Sequence, residues 1–303
     1  MDRQRHPGDR SNQMRYRFID QEKPHHAVSR LCRALGVTRA AYYAWRKRGI
    51  PARRVHDEGL SEWVEYFFER SRSTYGAPRI HADFVLGLGV PVSRKRIARL
   101  MRALGIAGSA RRLARHRARS LPPECAAAPD LVARRFAADA PNRLWSADIT
   151  YLRTREGWLY LAIVLDVYSR RVIGWSMAET LHADIVVDAL CMALTRRTPP
   201  PGLIHHSDRG AQYRSLHFGR TLADAAIAPS MGSRGDAYDN AVTETVMETI
   251  KRELVERRVF ATKDIARLAV FDYIEAFYNT YRRHSSLGYL SPAEFEEKMV
   301  DAA

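Results

Sequence analysis

Past residue 141 the apolar positions fall in short runs punctuated by turns. The stretches 144–152, 158–166 and 171–178 have strand length and strand composition. A helical period follows near 183–197 and ends in a Pro-Pro-Pro break. Next come a strand at 203–207, a helix near 215–226, a short strand near 228–231 and a long helix over 239–257. The order β-β-β-α-β-α-β-α predicts an α/β core, a mixed five-stranded sheet with helices on its faces. The tail, 263–298, reads as helical and turns at Leu287-Gly288-Tyr289-Leu290-Ser291-Pro292.

Upstream the pattern is helical and basic. Residues 1–15 are polar, with Pro7 and Gly8, and are expected to be disordered. Ala27, Val28, Leu31, Leu35 and Val37 form an apolar stripe, Gly36 supplies a turn, and Thr38 is a good N-cap for a helix over 39–48. That is a helix-turn-helix arrangement within 16–60. A second such segment occupies 61–119. Tyr75-Gly76-Ala77-Pro78-Arg79-Ile80 opens one helix, and Gly87-Leu88-Gly89-Val90-Pro91 breaks it. Ser93 caps 94–102, whose apolar face is Ile97, Leu100 and Met101. Residues 120–140, rich in Pro and Ala, read as a linker. The predicted core is then 141–257, followed by a helical extension over 258–303.

Charge sharpens this division. The chain of 303 residues holds 49 Lys+Arg against 34 Asp+Glu, a net of +15. Residues 1–120 hold 27 against 10, and the remainder 22 against 24, so the whole basic excess lies in the first two-fifths. Such a distribution calls for a polyanionic partner, most often nucleic acid. Candidate DNA contacts are Arg39, Tyr42, Tyr43, Arg46, Lys47 and Arg48 on one helix and Arg94, Lys95 and Arg96 on the other. Arg111 and Arg112 open an arginine-rich run at 111–119. Cys32, Cys125 and Cys191 are far apart with no CxxC pair, which excludes a zinc ribbon or a disulfide framework. No apolar run reaches the roughly 18–20 residues of a membrane span, and the first residues have no apolar signal-peptide stretch. A cytoplasmic location and no membrane partner are expected.

Acids supply the candidate chemistry. Asp148 sits in the first strand, Asp208 follows the strand His205-His206-Ser207, and Glu244 lies near the start of the long helix. An acid buried in a strand is costly unless it is paired or holds a metal. With Glu244 at 0° and about 100° per residue, Glu248 falls at about 40° and Lys251 at about −20°, while Val242, Val246 and Ile250 lie on the far side. Glu248 therefore competes with Glu244. Asp239 and Asn240 stand where N-caps belong. His205 and His206 fit packing or support of the site better than metal ligation, and Asp166 fits a turn. Three carboxylates on two strands and a helix can hold two Mg²⁺ about 3.5–4 Å apart, the arrangement that activates an attacking oxygen and stabilises a leaving one in phosphodiester chemistry.

These segments resemble the transposases of IS3-type bacterial insertion sequences. The matching residues are Trp145-Ser146-Ala147-Asp148-Ile149-Thr150-Tyr151, Gly157-Trp158-Leu159-Tyr160-Leu161 and His205-His206-Ser207-Asp208-Arg209-Gly210-Ala211-Gln212-Tyr213. They continue with Tyr238-Asp239-Asn240-Ala241, Glu244, Lys251-Arg252-Glu253-Leu254, Tyr278-Asn279, Arg282-Arg283-His284 and 287–292. Thirty-five residues separate Asp208 from Glu244, as in the DD(35)E pattern. The resemblance implies an RNase H-like, retroviral integrase-like core and DNA strand transfer. Its cofactor would be Mg²⁺, two ions per site, with Mn²⁺ as a substitute. Asp148, Asp208 and Glu244 would be the catalytic metal ligands. Lys251 would contact DNA near the cleaved end, and His206 and Asn240 would support the site. It also implies a homo-multimer on element-end and target DNA, and a partner or fusion from an upstream frame. Thr245 stands where serine is common, and no sustained heptad repeat is present. Two other functions share the pattern: a DNA-binding regulator with a silent core, and an RNase H-like nuclease that only hydrolyses.

Overall fold

A computed structural model describes residues 8–47, 52–109, 128–132, 136–232, 241–255 and 259–301. The chain forms two compact units, residues 1–65 and 66–303. No described helix is long and apolar enough to cross a membrane.

The first unit is helical. Its elements are α1 (Gly8–Glu22), α2 (Val28–Ala34), α3 (Arg39–Lys47) and the first part of α4 (Ala52–Arg70). Residues 8–15, expected to be disordered, are helical here. Tyr16 and Ile19, further along the same helix, anchor it on Leu31, Cys32 and Tyr42. Gly36 takes a φ of 66° between α2 and α3, a conformation that costs glycine little. Thr38 caps α3 as predicted, its Oγ1 accepting from the Ala41 N–H at 3.2 Å. Tyr42 leaves the DNA-facing set: it is fully buried and donates its hydroxyl to Asp20 at 2.8 Å.

The second unit begins with the end of α4. Then come α5 (Ala77–Ala82), widened into a π-helical turn over Asp83–Gly87, and α6 (Arg94–Ala103), capped by Ser93. The sheet follows. β1 (Leu144–Thr154), β2 (Gly157–Asp166) and β3 (Val172–Ala178) form an antiparallel meander, while β4 (Ile204–Ser207) and β5 (Ala228–Met231) add in parallel on the other side of β1. The order is β3-β2-β1-β4-β5, the mixed five-stranded sheet the sequence predicts. α7 (Asp184–Arg196) and α8 (Leu216–Asp224) cover one face through a core of Trp145, Ala147, Ala162, Val164, Leu190 and Phe218. α9 (Ala241–Ile250) lies against β1. It continues as a π-helical turn, Lys251–Val255, where the sequence predicts a regular helix. α10 (Lys263–Phe271), a π-helical stretch to Tyr278 and α11 (Pro292–Asp301) complete the chain. The described parts of the expected linker are packed: Val132 is buried with Leu144 and Val167, and the Leu131 N–H donates to Ser230 Oγ at 2.9 Å, which covers the β5 side of the sheet.

A buried ionic cluster joins α5, α9 and the C-terminal extension. Glu253 accepts from Arg282 Nε at 2.8 Å, from Arg282 Nη2 at 2.7 Å and from the Tyr273 hydroxyl at 2.8 Å. Arg79 donates to the Arg283 carbonyl at 3.0 Å, and Arg283 donates to Asp83 at 2.7 Å. The Tyr75 and Tyr281 rings stack at 6.0 Å. The segment 66–109, expected as part of a separate basic domain, therefore shares a unit with the core. Arg282→Met should strand the buried Glu253 charge and cost about 3–5 kcal/mol in urea denaturation. Adding Glu253→Gln should return a large part of that loss; a double variant no more stable than the single one would contradict the ion-pair account.

Candidate active site

Register brings the first two acids together. Ser146 on β1 pairs with His206 on β4 in a parallel ladder. Two residues beyond each, Asp148 stands on β1 and Asp208 just past the end of β4, strands that lie about 4.7–4.9 Å apart. A turn then fixes Asp208, whose Oδ1 accepts from the Gly210 N–H at 2.9 Å. A Cβ on Gly210 would stand 2.9 Å from that same oxygen, so a side chain there would displace the Asp208 carboxylate. Asp208 is exposed, while Asp148 is partly covered.

The third acid arrives on α9. Ser146 and Asp148 share a strand face. The buried Thr243 hydroxyl donates to Ser146 Oγ at 2.6 Å, which pins the start of α9 over that face and brings in the next residue, Glu244. Electrostatics show the convergence. Burial, then the Asp208 charge, and more weakly Glu244, push the Asp148 carboxyl up to about 7 from an ordinary 3.8. Lys251 opposes them and stands 5.7 Å over the Tyr151 ring. Glu248, the competitor on the helical projection, instead lines a cavity with Arg79, Arg170, Arg252 and Arg282. The spacing of seven residues, not four, returns a side chain to the acids.

Tyr213 is a site residue that sequence reasoning did not single out. It is buried, and among the described residues its hydroxyl has no hydrogen-bond partner. Burial, then the Asp148 and Asp208 charges, hold its phenol well above the usual range. Its place five residues after Asp208, in the same motif, was the available signal. Thr150, two residues beyond Asp148 on β1, likewise has a buried hydroxyl with no partner there.

The supporting residues sort cleanly. His206 is buried, with Nδ1 2.9 Å from Ser230 Oγ and its ring edge-on to Phe136. His205 packs against Phe218 and Tyr213, and burial lowers it to about 4, so it is a neutral core residue. Asp166 accepts from the Asn142 and Tyr168 N–H groups at 2.8 and 3.0 Å, the turn role its position predicts. Arg39, Tyr43, Arg46 and Lys47 are exposed on α3. Arg94 and Lys95 are exposed on α6, and Arg96 is half-buried. Arg48, Arg111, Arg112, Asp239 and Asn240 lie outside the described residues.

The donor set suits a hard divalent cation: carboxylate oxygens, repelling one another, and buried hydroxyls with no partner among the described residues. Among the described residues no three carboxylate or histidine side chains are close enough to close around one ion. The acids are gathered rather than closed.

Comparisons with known proteins show the family of the chain. Two family models described as "Integrase core domain" match residues 138–237 and 225–292, and one described as "HTH-like domain" matches 55–113. The chain is 40% identical over 290 residues to the Escherichia coli (strain K12) protein "Transposase InsF for insertion sequence IS3A", covering 94% of this chain and 99% of that one. It is 39% identical to the Shigella sonnei "Insertion element IS600 uncharacterized 31 kDa protein", covering 88% of this chain and 98% of that one. Among solved structures, the HTLV-2 integrase catalytic core domain in complex with magnesium matches 52% of this chain and 97% of its own, at 17% identity and a TM-score of 0.39.

Asp148 carries a testable cost. Its folded pKa lies above the unfolded one, so its contribution lowers stability as pH rises from about 4 to 7 and is fully adverse above that. Without divalent cations, Asp148→Asn should stabilise the chain at pH 8 by on the order of 1 kcal/mol or more, a few degrees in Tm, with no gain near pH 4. Equal melting at pH 8 would contradict the crowding of charge.

Proposed function

The chain belongs to the IS3-type insertion-sequence transposases, polynucleotidyl transferases with an RNase H-like integrase core, and from that premise we propose how its residues carry out strand transfer. Asp148, Asp208 and Glu244 hold two Mg²⁺, which Mn²⁺ can replace. Ions held there would supply activation of the attacking oxygen and stabilisation of the leaving one. The observation that supports this role is the push of Asp208 and Glu244 on Asp148, since a cation relieves that repulsion.

Each residue has a distinct task. Asp148 on β1 and Asp208 just past β4 face one reacting phosphate. Glu244 completes the set from the helix. Lys251, already beside the acids and braced on Tyr151, pairs with a phosphate of the DNA end. Thr243, His206 and Asn240 hold the acids in place. Water attacks first and frees a 3′-hydroxyl. That hydroxyl then attacks a target phosphorus, one P–O bond forming as another breaks. Arg39, Tyr43, Arg46, Lys47, Arg94, Lys95, Arg96, Arg111 and Arg112 bind the DNA backbone and groove edges. Because two ends must be joined, a homo-multimer on DNA is the working form, with an upstream-frame protein or fusion as a further partner.

Labelled element-end DNA with Mg²⁺ or Mn²⁺ tests the assignment. Asp208→Asn and Glu244→Gln should each lower strand joining at least ~10²-fold, the cost of removing one charge-stabilising group, while DNA binding persists. Glu248→Gln should leave most joining intact. Cleavage without joining in the wild type would favour a nuclease. Binding without chemistry would favour a silent regulator. Loss of joining in Glu248→Gln but not in Glu244→Gln would overturn the helix assignment. Removing Arg46 or Lys47 should weaken binding across sequences and flatten the salt dependence by about one unit of slope per contact, without changing the chemistry at saturation.

A further inference from the structure

About a quarter turn around α9 from Glu244, the helix presents a second polar face. Thr245, Glu248, Thr249 and the following Arg252 line a cavity of about 280 Å³, closed by Arg79, Arg170, Arg282 and Ser285. Four guanidiniums and a single carboxylate therefore share its wall. Arg282 is neutralised by Glu253 from behind, at 2.7 Å. The same carboxylate lies 3.9 Å from Arg79 and 3.7 Å from Arg252, too far to satisfy either fully. Arg252 keeps a buried Nε with no partner among the described residues. Arg170 is partly buried, and no carboxylate pairs with it among the described residues; burial lowers its guanidinium. Burial, then Arg282, Arg79 and Arg170, hold the neighbouring His284 well below its ordinary range, so the imidazole adds no charge of its own.

This wall has more positive charge than the described residues neutralise, carried by planar forks that suit a phosphate better than a lone carboxylate or a water cluster. The volume falls just below the roughly 300–1,000 Å³ of small-molecule pockets, enough for one anionic group and its waters. Across a helix 10–12 Å wide, the quarter turn from Glu244 spans on the order of 8 Å. Phosphates of one strand rise about 3.4 Å apiece along the duplex axis and stand further apart than that through space, because the backbone winds around the axis. We propose that this cavity binds one phosphate of the DNA strand seated at Asp148, Asp208 and Glu244, one or two nucleotides from the reacting bond. The proposal rests on the strand-transfer reading above. It gives α9 two jobs: Glu244 and Lys251 face the reacting phosphate, and the Arg252 side grips the same strand further along and fixes its register.

The test uses the full chain and the variants Arg170→Gln, Arg252→Gln and their combination, leaving Arg79 and Arg282 to hold Glu253. Melting curves first establish that each variant folds. Inorganic phosphate, compared with chloride at equal ionic strength, should raise the wild-type Tm and leave that of the double variant unmoved. End DNA carrying a neutral methylphosphonate at one position at a time should then map the contact. Wild type should lose about tenfold in affinity at a position one or two nucleotides from the reacting phosphate. The double variant should be insensitive there, and its salt slope should be shallower by about one to two. A variant that keeps wild-type affinity and sensitivity at every position overturns the proposal. Phosphate stabilisation without any sensitive position overturns the DNA assignment in favour of a free phosphate ligand. Failure of the strand-transfer reading looks different: the methylphosphonate map survives, while the wild type binds the ends and never joins them.

Discussion

Repulsion between carboxylates is the constraint around which the core is arranged. Asp148 is crowded by Asp208 and Glu244 and surrounded by protein, so its charged form is disfavoured until near pH 7. A soft scaffold would let these groups drift apart. Here the backbone decides otherwise: the parallel Ser146–His206 register fixes the two strands, the Asp208 turn is pinned by the Gly210 N–H, and the Thr243–Ser146 hydrogen bond docks the helix. Stability is given up locally, and the large apolar core between the sheet and α7–α8 supplies it from the opposite face. The same crowding that weakens the metal-free fold is what a divalent cation, in the proposed function, would relieve.

A second electrostatic centre, Glu253, sets the far side of α9. Being buried, it draws Arg282 from the C-terminal extension and Arg79 from α5 toward one point. Breaking such a pair is costly, so these segments are bound to the core rather than strung alongside it. Its surplus guanidiniums face a cavity whose described wall carries one carboxylate, Glu248. The basic excess of the chain is thus not confined to exposed helices: part of it is built into the wall beside the acids.

Much of this was legible in the sequence, for physical reasons. Alternation and run length locate β1 to β5, and turn chemistry locates the ends of α3 and α6, because both are local. Asp148 and Asp208 stand out because acids are rare in strands. Glu244 and Glu248 were not separable by projection, since about 40° on a wheel lies within one face. Only the tertiary surroundings sent one to the acids and the other to the arginines. Tyr42 was misassigned beside Tyr43 for a related reason: α3 shows which positions alternate, not which of two adjacent tyrosines meets Asp20 on α1. Helix α1 itself was missed because its polar start carries no period, and its stability comes from Tyr16 and Ile19 packing on α2 and α3. The Glu253–Arg282 pair and the Arg79 contacts join residues 29 to 204 positions apart, beyond any periodic signal.

The central claim is that three mutually repelling carboxylates exist to hold divalent cations. It is tested most directly by Mn²⁺ titration of the full chain at pH 8, followed by electron paramagnetic resonance in the presence of element-end DNA. Two ions bound per chain, with binding lost in Asp148→Asn, Asp208→Asn and Glu244→Gln but kept in Glu248→Gln, is the predicted result. Mn²⁺ binding indifferent to all three acids, or dependent on Glu248 in place of Glu244, would contradict it.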